Sequence, residues 1–225
     1  MKIKWLYLVL GLMVVVDLFY GESDNSLLRP NDGVADLYFL SDLEKEVITE
    51  LNRARSHPAG YAKKLENYKS HYVGKYIYFA GRTQVATQEG VSAVNEAIEF
   101  LKSTAPVPLL RVSRGLCASA KAHAKDQGPK GLVSHKGSDE STPDERMNRF
   151  GTWGKAYGEN IEYGNFNAEE IVMQLIIDDG VPERSHRGNI FNPLYRVVGV
   201  GFGPHQRYGQ MCVVDLAGTY TKGDE

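Results

Sequence analysis

The sequence predicts an α+β sandwich in which most helices precede a C-terminal β-hairpin. Apolar residues recur at helical spacing through much of the chain between residues 41 and 177. Near the end of the chain, RVVGVGFG at 196–203 and YGQMCVVDLAG at 208–218 form two valine-rich runs separated by a short turn segment. This pattern indicates a hairpin of buried strands. Helices that cover a sheet built on such a hairpin make an α+β fold.

Three of the predicted helices begin at sequences that can cap them. Ser41 is followed three residues later by Glu44, and Thr142 is followed in the same way by Glu145. Both pairs have the spacing of a capping box, in which each side chain bonds the backbone of the other residue. Asn167 precedes a further helix with a continuous apolar stripe.

The remaining elements are predicted from apolar periodicity. A helix resumes beyond Pro58, and two others cover 91–102 and 113–127. The aromatic and partly alternating segment 72–80 predicts a short strand or an ordered loop. Alternating glycines within 196–203 indicate that another segment packs closely against that strand.

The composition argues against some functions. With 225 residues, of which 42% are hydrophobic and 24% charged, the chain can build one globular domain with a substantial core. The formal net charge is −2, and the sequence contains no long basic run. Nucleic acid is therefore not an expected partner, because binding to phosphates depends on clustered positive charge.

The N-terminal segment predicts export. Lys2 and Lys4 precede an unbroken apolar run over 5–16, and small residues follow shortly after it. This is the pattern of a secretory signal peptide, which we assign to residues 1–23. Because the apolar run is shorter than the ~20 residues that a membrane-spanning helix needs, we expect cleavage and no transmembrane anchor. The mature protein is then expected to be secreted, in an extracellular or periplasmic location.

A polar linker over 24–40 and a single folded domain over 41–222 are expected to follow the signal peptide. The domain contains two cysteines, Cys117 and Cys212. An oxidising compartment would permit a disulfide between them. Two thiols buried separately as small apolar side chains fit the sequence equally well.

Residues that could carry chemistry are concentrated between 134 and 193. His135 lies in SHKGSD, Glu159 in YGEN and His186 in SHRGNIFNP. A histidine taken alone is more often a structural residue than a ligand. By the same reasoning, His123 is expected in the core or at its flank, because it shares a helical face with apolar residues, and His205 is expected in a loop.

Two adjacent acids, Asp178 and Asp179, follow the apolar helix that begins near residue 168. Asp178 lies three residues after Leu175, and Asp179 lies three residues after Ile176, so both extend the apolar face. At least one of these carboxylates is therefore expected to point toward the buried side, where it needs a partner.

From about Ser41 to Tyr220 the sequence resembles the CAP superfamily, which contains cysteine-rich secretory proteins, antigen-five proteins and plant pathogenesis-related proteins. It looks most like the bacterial-type branch. The order and spacing of five motifs carry the resemblance: LNRARSHPAGYA (51–62), GLVSHKGSDESTPDERMNRFG (131–151), YGENIEYG (157–164), DDGVPERSHRGNIFNPLYRVVGVGFG (178–203) and MCVVDLAGTY (211–220).

The resemblance implies a particular fold and a particular cleft. The fold is an α-β-α sandwich with a three-stranded antiparallel core sheet flanked by helices. The cleft contains two histidines and two acids, and the motifs match these to His135, His186 and Glu159. Asp178 stands where the second acid is expected, although its side chain is shorter than the family's glutamate. Asp179 and Glu183 remain alternatives for that position.

The resemblance also implies that the two histidines hold zinc or a similar divalent cation, with the acids orienting the rings. Two protein ligands would bind the metal weakly and exchangeably. Lipid, sterol or a cell-surface protein is the partner that the family suggests, so a binding role is expected rather than an enzymatic one. The alternative is a hydrolase that uses zinc-bound water in the same cleft.

Overall fold

The structure is a computed structural model that describes residues 25–30, 37–79, 81 and 84–222. Within these ranges it contains seven α-helices: α1 (Asp42–Ser56), α2 (Pro58–Tyr68), α3 (Val91–Ser103), α4 (Arg114–Gln127), α5 (Pro143–Asn148), α6 (Ala168–Ile177) and α7 (Ser185–Phe191). The same ranges contain eight strands: β1 (Arg29–Pro30), β2 (Tyr72–Val73), β3 (Tyr76–Ile77), β4 (Val85–Ala86), β5 (Arg111–Val112), β6 (Gly151–Tyr163), β7 (Val197–His205) and β8 (Gly209–Lys222). The predicted signal peptide over 1–23 lies outside the described residues.

The main sheet has five strands in the order β1-β5-β7-β8-β6. The three long strands β6, β7 and β8 pair antiparallel, whereas the two-residue strands β1 and β5 add to the edge in parallel. The mixed α/β class is confirmed, but the predicted count of three strands in the core sheet is wrong. The two extra strands come from short segments: β5, just before α4, pairs with β7, and β1, before α1, pairs with β5. Strand β1 lies in the segment that we predicted as a polar linker.

Helices cover both faces of this sheet. On one face, α4 supplies Leu116 and Ala120 to two small apolar clusters with side chains of β7 and β8. On the other face, α1, α2, α3, α6 and α7 share the largest apolar cluster with the alternate residues of the same strands, such as Val198 and Val200. Because successive strand residues point to opposite faces, the valine-rich hairpin is buried on both sides.

The alternating glycines of β7 allow α4 to approach closely. A Cβ atom at Gly199 would lie 2.1 Å from the backbone carbon of Leu116, and one at Gly201 would lie 2.3 Å from the backbone nitrogen of Lys121. These distances confirm the close approach that the glycines predicted.

The predicted helix starts are confirmed at the caps. The Ser41 side chain accepts from the Glu44 backbone, and the Glu44 side chain accepts from the Ser41 backbone. Thr142 and Glu145 form the second capping box, and Asn167 caps α6 by accepting from the backbone of Glu170. The hairpin is also confirmed as β7 and β8.

A second, small sheet has the strand order β2-β3-β4 and lies over the end of α6. Its strands β2 and β3 lie within 72–79, the described part of the segment for which we expected a short strand or an ordered loop. Cys117 and Cys212 are both free and buried, so the alternative of two separate thiols describes this structure. No helix in the described ranges is both long enough and apolar enough to cross a membrane.

Candidate functional site

The predicted cleft residues meet at the free edge of the main sheet, along β6. His135 comes from the loop between α4 and α5, on one face of the sheet, and His186 is the second residue of α7, on the other face. Their ring centroids are 6.4 Å apart with an angle of 36° between the ring planes. The site therefore lies where the two helical layers meet at the edge strand β6, and it brings together residues that are far apart in the sequence.

Glu159 on β6 orients His135. The Nδ1 atom of His135 lies 2.8 Å from Oε1 of Glu159, and the guanidinium of Arg146 donates to Oε2 of the same carboxylate. A second Arg146 nitrogen donates to the backbone oxygen of His135 at 2.8 Å. Arg146, which the sequence did not single out, therefore fixes both the acid and the backbone of the histidine.

The environment keeps the Glu159 carboxylate ionised. Burial opposes ionisation, but the hydrogen bond from His135 and the charge of Arg146 together lower the pKa of Glu159 below its ordinary value. A carboxylate can only accept hydrogen bonds. The Nδ1 atom of His135 must therefore carry the hydrogen, and in the neutral ring the lone pair is left on Nε2.

Asp178 orients His186 in the same way. Its Oδ1 atom lies 2.6 Å from Nδ1 of His186. Its Oδ2 atom accepts from the backbone nitrogens of His186 at 2.9 Å and Arg187 at 3.2 Å. Asp178 terminates α6 in the left-handed conformation with φ 58°, and this turn directs the buried carboxylate at the start of α7.

The two alternatives for the second acid lie elsewhere. Asp179 accepts three backbone hydrogen bonds at the start of α3, from Gln88, Glu89 and Gly90, at 2.6 to 3.1 Å. Glu183 is exposed. Among the three acids that the sequence left open, the geometry thus places Asp178 against His186.

Two asparagines hold the backbone of His186. The side chain of Asn160, next to Glu159 in the GEN motif, donates to the His186 carbonyl at 3.0 Å. Asn189 donates to the Asn160 side chain at 2.8 Å. Sequence reasoning did not assign either residue, although their positions inside two of the family motifs are the signal that marks them.

The Arg187 side chain anchors α7 to α6. Arg187 is buried and donates to the carbonyls of Ile176 at 2.6 Å and Ile177 at 3.0 Å, and it forms an ion pair with Glu96 at 2.8 Å. These bonds satisfy carbonyls at the C-terminal end of α6 that have no partner within the helix. They also hold the His186 end of α7 rigidly against the cleft.

A third acid, Asp215, is buried behind Glu159. The two residues are directly opposite each other on β8 and β6. Asp215 is 1% exposed, and both of its side-chain oxygens lack a hydrogen-bond partner among the described residues. Burial and the adjacent Glu159 carboxylate raise the pKa of Asp215 well above its ordinary value. Its position within an apolar run of the sequence did not indicate that this acid would lie buried beside Glu159.

His123 is a core residue, as predicted, but it contacts the site. It is fully buried, and its Nε2 atom donates to the backbone oxygen of Ser134 at 2.9 Å. This bond supports the loop that carries His135. His205, which we expected in a loop, instead ends β7 and is buried, with Nε2 bonded to the Leu132 carbonyl at 2.9 Å.

The Nε2 atoms of the two histidines are the ring nitrogens left available to a metal ion. Both Nδ1 atoms are engaged by carboxylates, as in the carboxylate–histidine–metal arrangement. With Zn–N distances of ~2.0–2.1 Å, two imidazoles at the tetrahedral angle have ring centroids about 5.2 Å apart. The observed centroids are 6.4 Å apart, so the two rings must approach each other by about 1 Å to share a tetrahedral zinc ion. No cluster of three or more His, Cys, Asp or Glu side chains suited to a metal occurs in the described part of the chain.

Together, the fold and the site define a mixed α/β domain with a His/acid cleft at the edge of its sheet. A model of the cysteine-rich secretory protein family, CAP, matches residues 91–216. Since this match covers more than half of the 225 residues, the chain belongs to the CAP superfamily. The resemblance inferred from the motifs is confirmed.

Individual relatives are bacterial. The chain is 33% identical over 93 residues to uncharacterized protein YkwD of Bacillus subtilis, and this stretch is 41% of the chain and 34% of that protein. The chain thus spans about a third of the length of this curated relative.

Among solved structures, the chain is similar to an extracellular protein containing an SCP domain from Bacillus anthracis, with 23% identity, coverage of 49% and 34% of the two chains, and a TM-score of 0.40. It is also similar to an outer surface protein from Borrelia burgdorferi, with 16% identity, coverage of 59% and 91%, and a TM-score of 0.42.

Proposed function

We propose that this CAP-domain protein is an exported binding module whose cleft holds a divalent metal, zinc or a similar cation, between His135 and His186. The observation that carries the proposal is the pair of Nδ1–carboxylate contacts, at 2.8 Å to Glu159 and 2.6 Å to Asp178. Each carboxylate selects the tautomer in which Nε2 can bind a metal, and it fixes the orientation of the ring.

The metal is expected to be weakly held. Two protein ligands leave open positions that water or a partner's carboxylate can fill, unlike the four-ligand sites of structural zinc. His135 has a half-exposed side chain, at 53%, whereas the His186 side chain is only 19% exposed. The metal would therefore enter from the His135 side, and it would act there as a Lewis acid and a point of attachment for a partner's oxygen atom.

The geometry favours binding over hydrolysis in this cleft. A hydrolase that uses metal-bound water needs a general base with a free oxygen near the metal. Both oxygens of Glu159 already accept hydrogen bonds, from His135 and Arg146, and its lowered pKa makes it a weak base at neutral pH. Asp178 is committed in the same way to His186 and the start of α7.

We propose a lipid, a sterol or a cell-surface protein as the partner class, in keeping with the family.

The apolar N-terminal segment supports export, with residues 1–23 as a signal peptide and a secreted or periplasmic mature protein. Native mass spectrometry of protein from its source would read bound metal and bound lipid in one spectrum. Intact residues 1–23 in a membrane fraction would contradict the export proposal.

Zinc titration calorimetry tests the cleft. We expect saturable binding by wild type, and loss of most of it in His135→Ala and in His186→Ala. The double variant should lose little more, because either single variant already destroys the two-ligand site. His57→Ala is the matched control, since His57 is exposed and its ring bonds only the neighbouring Ser56 side chain among the described residues.

His123→Ala is not a neutral control, because its bond to Ser134 supports the His135 loop. Binding that is equal in wild type and the double variant would refute the site. Hydrolysis of peptide or ester substrates that depends on zinc and on both histidines would instead favour the hydrolase alternative.

A further inference from the structure

Asp215 and Glu159 face each other on the α4 side of the main sheet. The strand register places them directly opposite each other on β8 and β6, and Gly199 lies opposite Asp215 on β7. A Cβ atom at Gly199 would meet the backbone of α4, so the side chains of this row point toward α4. Directly paired residues on one face of a sheet have Cβ atoms about 4.5–5.5 Å apart, which brings the two carboxyl groups together.

The surroundings of Asp215 are closed to solvent and mostly apolar. Its neighbours on the same face of β8, Val213 and Ala217, belong to the two small apolar clusters beneath α4. The residue is 1% exposed, and neither of its oxygens has a hydrogen-bond partner within the described ranges. An ionised carboxylate in this position would be a buried charge without a single hydrogen-bond donor, which is strongly unfavourable.

The buried charges around this pair balance when Asp215 is neutral. Glu159 is ionised, and the buried guanidinium of Arg146 supplies the matching positive charge. Burial lowers the pKa of His123 on α4, so its ring adds no positive charge at neutral pH. A second carboxylate at Asp215 would therefore lack a counter-ion. The other groups that act on Asp215 are uncharged at neutral pH: the Ser119 hydroxyl, the Cys117 thiol and the Tyr220 phenol.

We propose that Asp215 keeps its proton at neutral pH and donates it to Glu159, which makes Asp215 a positioning residue for the cleft. Glu159 acts on Asp215 at close range, yet the ionised Glu159 has no hydrogen to give. The hydrogen between the two carboxyl groups must therefore come from Asp215. Glu159 can accept it, because a carboxylate offers about four lone-pair sites and His135 and Arg146 use two of them.

The hydrogen from Asp215 holds Glu159 from the side opposite His135. A hydrogen bond to an ionised acceptor is stronger than one between neutral groups, so it restricts the Glu159 carboxylate to the position in which it orients the His135 ring. The proton on Asp215 does not depend on a metal. Its effect on metal affinity, by contrast, rests on the metal cleft proposed above.

The proton on Asp215 can be observed directly by ¹³C NMR of protein labelled only at its aspartate side-chain carboxyl carbons. We expect one signal of the metal-free wild type to keep the chemical shift of a protonated acid at about pH 7.5, far above the ~3.9 at which aspartate ordinarily ionises. This signal should be absent from Asp215→Asn. If every aspartate carboxyl of the wild type is ionised at about pH 7.5, Asp215 holds no proton, and this result needs no variant.

Chemical denaturation across a range of pH gives a second test. The amide of Asp215→Asn donates to Glu159 without taking up a proton, whereas wild-type Asp215 must regain on folding the proton that it loses in the unfolded chain above about pH 3.9. The stability of Asp215→Asn relative to wild type should therefore rise with pH. Asp139→Asn is the matched control with the opposite sign, because hydrogen bonds from Ser141 and Arg149 lower the pKa of Asp139. A relative stability of Asp215→Asn that falls with pH would show that Asp215 is ionised in the fold.

Asp215→Leu tests the positioning role, because it keeps the branched shape and removes the donor. We expect zinc affinity to fall about 3- to 10-fold in Asp215→Leu, less than the ~10- to 100-fold that loss of a direct orienting partner costs, and to stay within about threefold in Asp215→Asn. Asp42→Asn controls for a lost acid, since the Asp42 side chain is 93% exposed. Wild-type zinc affinity in folded Asp215→Leu would rule out the positioning role.

The two proposals fail separately. If the wild type binds no zinc, the metal cleft is refuted, and the ¹⁵N NMR spectrum of the His135 imidazole still tests Asp215 without a metal. That spectrum should change in Asp215→Leu and stay close to wild type in Asp215→Asn. An unchanged His135 spectrum in folded Asp215→Leu would show that Glu159 holds the ring without help from Asp215.

Discussion

Replacing Asp178 by Asn should change the tautomer of His186 and thereby weaken metal binding. The substitution keeps the side-chain volume, and Asn tolerates the left-handed conformation that Asp178 adopts at φ 58°. In the wild type, Oδ2 accepts from two backbone nitrogens and Oδ1 accepts from the His186 ring. An amide can supply an acceptor on only one side.

The Asn oxygen is expected to face the two backbone donors, which leaves its NH₂ group against Nδ1 of His186. Nδ1 must then accept, so the ring hydrogen moves to Nε2 and the lone pair that would bind zinc is lost. Removing such an orienting partner typically costs about 10- to 100-fold in metal affinity, and we expect a loss of that size. Weakening the buried bonds should lower the free energy of unfolding by about 1–3 kcal/mol.

Calorimetric zinc titration at about pH 7.5 measures the affinity, and ¹H–¹⁵N NMR of the imidazole nitrogens reports the tautomer directly. Asp179→Asn is the matched control, because the same chemical change one residue along affects only the start of α3. Glu183→Gln controls for charge at an exposed site. If either control weakens zinc binding more than Asp178→Asn, or if the His186 tautomer stays unchanged, the assignment of Asp178 is wrong.

Three further predictions concern the scaffold. Gly199→Ala should lower the free energy of unfolding by about 3 kcal/mol or more, since its Cβ would lie 2.1 Å from the backbone of α4. Gly188→Ala is the control and should be neutral or slightly stabilising, because a Cβ there meets nothing within 4 Å. Chemical denaturation measures both variants. Burial raises the pKa of Glu162 to about 7, so the folded state holds a proton that the unfolded state has already lost above about pH 4.5. Glu162 should therefore contribute a fall in stability on the order of 3 kcal/mol as pH rises from about 4.5 to about 7.5. A Glu162→Gln variant should lack this part of the pH dependence and keep the part that comes from Asp215, whose pKa is also raised. Cys117 and Cys212 are free and buried, and burial raises the pKa of the Cys117 thiol to about 12, so a thiol reagent should modify neither residue until the protein unfolds; rapid labelling of the native protein would contradict this.

Local signals in the sequence determined much of the fold. The caps at Ser41, Thr142 and Asn167 act within one helical turn, so residues three positions apart were enough to place α1, α5 and α6. The hairpin of β7 and β8 could also be predicted from the sequence, because its strands are adjacent in the chain and carry continuous apolar runs. The motifs also identified His135 and His186 as cleft residues through the resemblance to the family.

The edge of the sheet could not be predicted in the same way. Strand β6 contains GTWGKAYGENIEY, whose glycines and charges weaken any strand pattern. It forms a strand because β8, which lies much later in the chain, supplies its backbone partners from Gly151 to Tyr163. Strands β1 and β5 are two residues long, too short for periodicity to reveal.

Within the site, the sequence alone determined the residue types, and the tertiary structure decided the pairings. Helical phase left Asp178 and Asp179 equivalent, but the left-handed turn at Asp178 sends one carboxylate to His186 and the other to α3. Asp215 and Glu162 lie on strands whose neighbours are set by sheet register, so their burial was invisible in the chain order. Hydrogen-bond partners of this kind are brought together by packing across layers, and a sequence pattern reports only the local geometry of its own element.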